Sequence, residues 1–486
     1  MSGEWKIRRE LLMASVCLAA AAGISGDTIV LKNGRRITAL SVTQEGDKVS
    51  YETPSGTLIL PRAIVDHVER GGVPSAEASA NASTLSLKPP DTAAAASVLS
   101  PNKSEIETRV ILDGEVDRNY VAQLEGEARS GQAVANQNAA MAHHVASQFE
   151  IAHGEMDLAL ADERTALTYA PQQPVFLMNV AYLYLRRSEY TQALEYLERA
   201  QRVAPEDPEV SKLAGWAYYG LNKLDQAVAE WKHAESLRPD AEVEAALRKA
   251  ERDKQEEEQY KENGSSHFTL RYSGASEPAL ARDVLHTLEW HYDVIDSALS
   301  YSPPESIGVV LYTQEAFADI TQAPTWVGAL NDGRIRVPVQ GLSSVTPELS
   351  RVLKHELTHS FIQQKTRGHA PTWIHEGLAQ YMEGKRSDTN AAALLAIYQG
   401  DQALGAKHFD GDWMKLSNVD AGAAYAWALA NIEFIVQSDG MSDVDRILTH
   451  LSAGESPEAV VKEVLHSDYA ELTHDTVAYL RKTYTN

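Results

Sequence analysis

The chain has 486 residues, of which 44% are hydrophobic and 23% charged, and its formal net charge is −24. This length exceeds one ordinary hydrophobic core, so we expect two or three folded units. The negative charge argues against a nucleic-acid partner, because no surplus of lysine and arginine is left to neutralise phosphates. It also argues against simple adsorption to an anionic membrane surface.

The first residues are typical of an export signal. Three basic residues precede an apolar run, rich in small side chains, over residues 11–22. Because this run is too short for a comfortable membrane span, residues 1–26 are predicted to be a signal peptide that is cleaved on export to the periplasm or the exterior. An uncleaved anchor is the alternative. The mature chain has no predicted transmembrane span, and its only cysteine, Cys17, is removed with the signal, so we expect no disulfide.

Residues 27–71 are predicted to form a small β-rich domain. Short strand-like runs are separated by turn signals, of which Asn33-Gly34 is a strong hairpin signal. Strands at this spacing indicate a small barrel or sandwich. Residues 72–104 are rich in alanine, serine and proline and are predicted to be a disordered linker, because such a composition buries too little apolar surface to offset the entropy of ordering.

Residues 105–262 are predicted to be helical, and part of this segment repeats. Three sets of residues recur every 34 positions: Ala159, Ala193 and Ala227; Ala166, Ala200 and Ala234; and Pro171, Pro205 and Pro239. The pattern resembles the tetratricopeptide repeat, a helix–turn–helix unit. It predicts repeats over 174–207 and 208–241 and a degenerate repeat over about 140–173. The highly charged helix over 241–262 is predicted to be a solvating cap or spacer.

The segment after the repeats alternates strands and helices, and it contains a motif for metal chemistry. The sequence His355-Glu356-Leu357-Thr358-His359 falls within a helical pattern, where positions i and i+4 share one face. This spacing lets two imidazoles converge on one metal ion. Glu356 lies one residue round the turn, where it can take a proton from the attacking water as a general base. Two ordinary helix histidines with polar neighbours are the alternative interpretation.

A second predicted helix over residues 371–381 supplies a third candidate ligand. Glu376 comes 17 residues after His359, which is enough for a turn and an antiparallel return. Gly377 has no side chain, so this helix can pack tightly. Zinc peptidases with two histidines and one glutamate take their third protein ligand in this way and leave a fourth position to water.

These motifs resemble the gluzincins, the thermolysin-like clan, and within it the peptidase MA-like domains with a Trp-x-x-Glu-Gly-x-Ala signature. The resemblance covers residues 263–486 and implies a multidomain α+β protein that ends in an α+β, zincin-like metallopeptidase domain. It implies Zn²⁺ on His355, His359 and Glu376, with Glu356 as the base. The reaction it implies is hydrolysis of peptide bonds in a protein or peptide substrate.

The resemblance also implies finer roles. The strand formed by Arg334, Ile335, Arg336 and Val337 would be the sheet edge that pairs with an extended substrate. Gln380 stands four residues after the ligand glutamate, where thermolysin has an acidic residue that orients a histidine. An amide in that place polarises the imidazole less than a carboxylate does.

The donor that stabilises the tetrahedral intermediate is harder to assign. Tyr425 is placed where related domains often carry such a residue, with Tyr381 and His375 as alternatives. For each of these residues, ordinary packing is the rival interpretation. The repeats are predicted to recruit a protein partner or to present the substrate. The rival interpretations of the whole protein are a catalytically inactive repeat scaffold that binds proteins and an active domain that is kept latent.

Overall fold

The computed structural model describes residues 26–32, 36–39, 41–46, 48–53, 56–72, 87–91, 100–273, 278–313, 316, 330–331, 333–339, 342–400 and 418–485. The chain is mostly helical, with a small β region near the N-terminus and an α/β segment towards the C-terminus. The predicted signal peptide lies outside the described residues except for Gly26. Within the described residues, no helix has the length and apolar character needed to cross a membrane.

The N-terminal β region consists of two antiparallel sheets on one core. Its strands are β1 (Gly26–Leu31), β2 (Arg36–Ala39), β3 (Ser41–Glu45), β4 (Lys48–Thr53), β5 (Gly56–Pro61) and β6 (Val65–Gly72). One sheet has the order β2-β1-β6 and the other β3-β4-β5. Ile29, Val49 and Val65 belong to one hydrophobic cluster shared by both sheets. β1 and β2 pair as the predicted hairpin requires, although its Asn33-Gly34 turn lies outside the described residues.

Part of the predicted disordered linker is packed against the helical region. Residues 73–86 and 92–99 lie outside the described residues. Leu87 is buried in the hydrophobic cluster of the neighbouring helices, and the Ser100 hydroxyl donates to Oδ1 of Asn138 at 2.7 Å. Leu87 and Ser100 therefore pack against the helical region, through partners that composition alone does not reveal, and the disordered linker stays a prediction for the rest of residues 72–104.

The helical region forms an array of paired helices. Its elements are α1 (Lys103–Val110), the short strands β7 (Ile111–Leu112) and β8 (Glu115–Val116), α2 (Arg118–Ala128), α3 (Ala133–His153), α4 (Met156–Tyr169), α5 (Pro174–Arg186), α6 (Tyr190–Val203), α7 (Pro208–Gly220), α8 (Leu224–Leu237) and α9 (Ala241–Glu257). The six recurring alanines are all buried. Pro171, Pro205 and Pro239 each follow the end of the second helix of a pair, as the sequence predicts for a residue that cannot continue a helix.

The turns inside the helix pairs contain a further set of residues that recurs every 34 positions and that the sequence analysis missed. Gly154, Ser188 and Asn222 are also 34 residues apart, and they join α3 to α4, α5 to α6 and α7 to α8. Their φ angles are 81°, 57° and 60°, so all three turns use the left-handed region. The repeat is therefore one of backbone conformation as well as of side-chain size.

The C-terminal segment combines one mixed sheet with helices. Its elements are β9 (Lys261–Gly264), β10 (Phe268–Tyr272), α10 (Pro278–Leu299), β11 (Ile307–Tyr312), β12 (Leu330–Asn331), β13 (Arg334–Pro338), α11 (Pro347–Lys365), α12 (Thr372–Met382), α13 (Ala391–Gly400), α14 (Asn418–Ser438), α15 (Met441–Ser452), α16 (Pro457–Leu465) and α17 (Tyr469–Tyr484). The described strands have the order β12-β13-β11-β10-β9. β10, β11 and β13 are parallel to one another, whereas β9 and β12 run antiparallel to their neighbours.

The sheet topology corrects one prediction from the sequence. The strand containing Arg334, Ile335, Arg336 and Val337 is not the edge of the sheet, because it pairs with β11 on one side and with β12 on the other. Ile335 and Val337 lie in the core with the apolar side of α11. Both arginines are buried on the opposite face of the strand.

The charged helix after the repeats also differs from its prediction as a solvating cap. Most of α9 is charged, but Asp253 and Glu257 are buried and form ion pairs with Arg334 and Arg336 of β13. These four side chains join the helical array to the C-terminal sheet. They could not be paired from the sequence, because 77 to 83 residues separate the partners.

Candidate metal centre

Helix α11 carries the histidine motif and is anchored at its start. The Thr346 hydroxyl accepts from the backbone N–H of Leu349 at 3.1 Å, and Pro347 occupies the first turn, where its missing N–H has no cost. The apolar stripe of the helix, formed by Leu349, Leu353, Leu357 and Phe361, is fully buried in the core of the domain. The side of α11 that bears the two histidines therefore has a fixed orientation.

The three predicted ligands converge on one point. His355 and His359 are one helical turn apart, and their Nε2 atoms face each other at 3.1 Å. Glu376 of α12 places Oε2 at 3.7 Å from Nε2 of His355 and Oε1 at 3.8 Å from Nε2 of His359. All three side chains can offer ligand atoms that lie within 4.8 Å of one another.

The Glu376 carboxylate is positioned as a metal ligand. Its side chain is 1% exposed, and its Oε1 has no hydrogen-bond partner among the described residues. A buried carboxylate oxygen without a partner is costly, and native structures rarely tolerate it. A cation between the two imidazoles and this carboxylate would remove that cost. Two ring nitrogens and one carboxylate are a donor set typical of a transition-metal site.

Gly377 lets α12 and α14 approach closely. A Cβ atom at this position would collide with the backbone carbonyl oxygen of Ala428 and with the side chain of Ile432. The tight packing predicted for Gly377 is therefore present, and its partner is α14. The contact fixes the helix that carries Glu376.

Glu383 is a site residue that sequence reasoning missed. Its Oε1 lies 3.3 Å from Nδ1 of His355, and its carboxylate is also paired with Lys385 at 2.8 Å. A carboxylate on Nδ1 fixes the imidazole ring so that Nε2 points to the metal position. Glu383 follows Glu376 by seven residues, so a search for carboxylates two helical turns after the ligand would have found it.

The structure corrects the role predicted for Gln380. Its Nε2 donates to the backbone carbonyls of Glu376 and Tyr425, at 3.0 and 3.1 Å. These bonds tie α12 to α14 and leave the orientation of His355 to Glu383. The thermolysin spacing of four residues therefore does not apply to this chain.

Burial and neighbouring charges shift the pKa values of the site. Burial raises the pKa of Glu356 to about 7, with the positive charge of His355 opposing it. Burial lowers the pKa of His359 to about 3, so this ring is neutral at physiological pH. For His355 burial acts in the same direction, but its bonds to Glu376 and Glu383 outweigh it and raise the pKa to about 10.

The three candidate transition-state donors lie in different surroundings. Tyr425 is half-buried on α14, at the point where its own carbonyl accepts from Gln380. The ring of His375 lies 5.6 Å from the ring of His359. The ring of Tyr381 is covered by the guanidinium of Arg386 at 4.1 Å. Of the three, His375 has a direct contact with a candidate metal ligand, and the role of each in the reaction stays a prediction.

Comparison with known proteins supports a peptidase. Residues 302–482 match the family model of the Peptidase MA superfamily, and the matched segment contains His355, Glu356, His359 and Glu376. The match supports a peptidase-type hydrolase domain, and members of this family are typically metal-dependent. No curated protein matches the chain. The solved structure titled "MamA MSR-1 C2" is 15% identical over 31% of this chain and 86% of its own, but a TM-score of 0.23 supports no structural conclusion.

Proposed function

We propose that this protein is an exported, zinc-dependent metallopeptidase that hydrolyses peptide bonds in a protein or peptide substrate. The observation that carries the proposal is the convergence of His355, His359 and Glu376, whose ligand atoms lie within 4.8 Å of one another. The Peptidase MA match over residues 302–482 supports the reaction class. Export to the periplasm or the exterior rests on the signal-like start of the sequence.

Zinc is the metal that suits this donor set. Calcium and magnesium prefer sites made of oxygen ligands, whereas two imidazoles and one carboxylate are typical of catalytic zinc. His355, His359 and Glu376 would hold the ion and leave a position open. A bound zinc ion would polarise the scissile carbonyl and increase the acidity of the attacking water.

Glu356 acts as the proton carrier in the proposed reaction. Glu356 lies beside the proposed ligand His355 on α11, and burial raises its pKa, which favours a group that takes and gives back a proton near neutral pH. Glu356 takes a proton from the water as the water oxygen bonds to the carbonyl carbon. It then gives this proton to the amide nitrogen as the C–N bond breaks, so that a carboxylic acid and an amine leave. Tyr425 would donate to the oxyanion of the intermediate, in which case Tyr425→Phe lowers kcat and leaves the zinc content unchanged.

An extended substrate would pair with β12 in place of β13. β12 is the outer strand on this side of the described sheet. The side-chain amide of Asn331 on β12 donates to the carbonyl oxygen of Glu356 at 2.8 Å and to the Ser360 hydroxyl at 2.6 Å. These bonds hold the outer strand beside the helix that carries the base, which is the position that strand addition of a substrate needs.

The helical array would recruit a protein partner or present the substrate through the surface that it leaves free. This part of the proposal rests on the resemblance of its paired helices to tetratricopeptide repeats. The array is also attached to the C-terminal domain, so a protein bound to it would be held close to the candidate centre.

The test compares hydrolysis of a denatured protein by the wild type, Glu356→Gln and Glu348→Gln, with the zinc content of each. Glu348 lies on the same helix, but its side chain is 44% exposed and lies 3.8 Å from Arg351. We expect Glu356→Gln to keep zinc and lose about 100-fold or more in rate, because it removes a general base. We expect Glu348→Gln to behave like the wild type. Equal rates for all three proteins would contradict the proposed mechanism.

A further inference from the structure

The C-terminal sheet is buried on both faces, and the helical array covers the second face. All the residues of β11 and β13 are buried. Val309 and Ile335 belong to the core on the side of α11, whereas Tyr312, Arg334 and Arg336 contact α9 on the other side. A sheet in a free-standing domain would expose one face or cover it with apolar side chains of its own. Here the covering element comes from the array.

Two carboxylates of α9 are completely paired at this interface. Asp253 accepts from Nη1 and Nη2 of Arg336 at 2.9 and 2.7 Å, and from the Tyr219 hydroxyl at 2.9 Å. Glu257 accepts from Nη2 of Arg334 at 2.6 Å and from the Tyr312 hydroxyl at 2.7 Å. Each of the four carboxylate oxygens thus has a donor. Buried charges of this kind are tolerated only when their geometry is well satisfied, so the interface specifies one docking position.

The turns of the helix pairs extend the same interface along the array. In the first pair, Asp157 forms an ion pair with Arg367, just before α12. In the second pair, the backbone N–H and the hydroxyl of Thr191 donate to Glu305 at 2.9 and 3.1 Å.

The first and third turns approach glycines of the C-terminal domain. A Cβ atom at Gly454 would collide with the backbone of Gly154. A Cβ atom at Gly308 on β11 would contact the side chain of Asn222 at 3.6 Å. Each of the three pairs α3–α4, α5–α6 and α7–α8 therefore contacts the C-terminal domain through its turn or the first residues after it.

A short path leads from this interface to the candidate base. Arg336 of β13 stands opposite Leu330 of β12, and Ile335 stands opposite Asn331. The Asn331 side chain donates to the carbonyl of Glu356. The two arginines paired with α9 thus lie on β13, which pairs with β12. β12 is in turn hydrogen-bonded to α11, the helix that carries Glu356.

We propose that Asp253 and Glu257 are positioning residues for the peptidase site. From the helical array they hold β13, and through it β12 and Glu356, in the arrangement that hydrolysis requires. The array is then an obligatory part of the catalytic unit and not a detachable recruitment module. This inference rests on the proposed function, because positioning matters for catalysis only if the centre hydrolyses peptides.

The test uses the full chain with Asp253→Asn, the milder Tyr219→Phe, and Asp225→Asn as a matched control. Asp225 lies on α8 and pairs with Lys254 in solvent, so it has no role at the interface. Hydrogen exchange of the segment 330–338 is compared with exchange of α17, which lies elsewhere in the same domain. We measure kcat, KM and zinc content in parallel.

For Asp253→Asn we expect about tenfold faster exchange in 330–338, unchanged exchange in α17, and about tenfold lower kcat/KM with the zinc content retained. Tyr219→Phe should change the same quantities in the same direction but less, and Asp225→Asn should change none of them. Equal acceleration in both segments, or unchanged exchange in 330–338, would overturn the inference. If the wild type hydrolyses nothing, the proposed function fails by itself, and the exchange data still decide whether α9 holds the strand.

Discussion

The C-terminal sheet separates two groups of buried charged side chains. On the side of the array, Asp253 and Glu257 face Arg334 and Arg336, and each oxygen of the two carboxylates accepts a hydrogen bond. On the side of α11, Glu376 is equally buried, but its Oε1 accepts none among the described residues. Both carboxylates of the first group are fully paired by side chains of the described residues. The second brings two imidazoles and a carboxylate together, so its donor set and the convergence of its ligand atoms are what distinguish the candidate metal centre from the structural group.

The largest expected effect comes from removing one partner of a buried ion pair in the first group. Arg336→Met leaves Asp253 buried without its main partner, and we expect a loss of about 3–5 kcal/mol in the free energy of unfolding. Replacing both residues, with Arg336→Met and Asp253→Leu, removes the unpaired charge and should recover most of this loss. Urea unfolding of both variants and the wild type measures the difference. A double variant as unstable as the single one would show that charge pairing is not what this group contributes.

The second prediction concerns Glu383, the carboxylate beside His355 in the candidate metal centre. Glu383→Gln removes the carboxylate on Nδ1 of His355, and we expect zinc affinity to fall by about 10- to 100-fold because the ring is less basic and less well oriented. Glu348→Gln is the matched control, since Glu348 lies at the start of α11 and its carboxylate faces Arg351 at 3.8 Å. Competition with a chelating indicator measures both affinities. Equal affinities for the two variants would remove Glu383 from the metal centre.

His291 can be compared with the two histidines of the candidate metal centre. It is a buried histidine whose Nε2 is bonded to the Ser350 hydroxyl at 3.0 Å and whose Nδ1 has no partner among the described residues. It is not one of the three side chains that converge at the candidate metal centre. Burial, helped by the charge of Lys354, lowers its pKa from 6.5 to about 4. We therefore predict a structural, neutral imidazole with an effect on stability and none on metal binding.

The sign of this effect follows from proton linkage. Between pH 6.5 and pH 4 the unfolded chain binds a proton at His291 that the folded chain does not. Its contribution is therefore present above pH 6.5 and is lost as the pH falls towards 4, amounting to about 1–2 kcal/mol between pH 7 and pH 5. Urea unfolding at the two pH values should show a smaller change for His291→Gln than for the wild type. An identical change, or a loss of zinc at pH 7, would contradict this assignment.

Local patterns predicted most of the candidate site from the sequence. His355 and His359 were assignable because a helix puts residues four apart on one face, and Glu376 because a second helix of suitable length follows. The alanines of the array were assignable because their spacing repeats. In contrast, the strand of Arg334 and Arg336 was taken for the edge of the sheet, because the strand that covers it, β12, has only two residues. The side chains that pair with the two arginines were also missed, because they lie 77 to 117 positions away. Glu383 was missed because it lies two helical turns after Glu376, whereas the thermolysin pattern places the orienting residue one turn after the ligand.

The most direct test of the central claim is the zinc content of the purified wild type and of Glu376→Ala, measured by elemental analysis after dialysis. We expect about one zinc ion per chain for the wild type and a large loss for Glu376→Ala, because this variant removes the third proposed ligand. Asp253→Asn, whose carboxylate is already paired, should keep its zinc. A wild-type protein that binds no zinc, or a Glu376→Ala variant that binds as much as the wild type, would contradict the assignment of the metal centre.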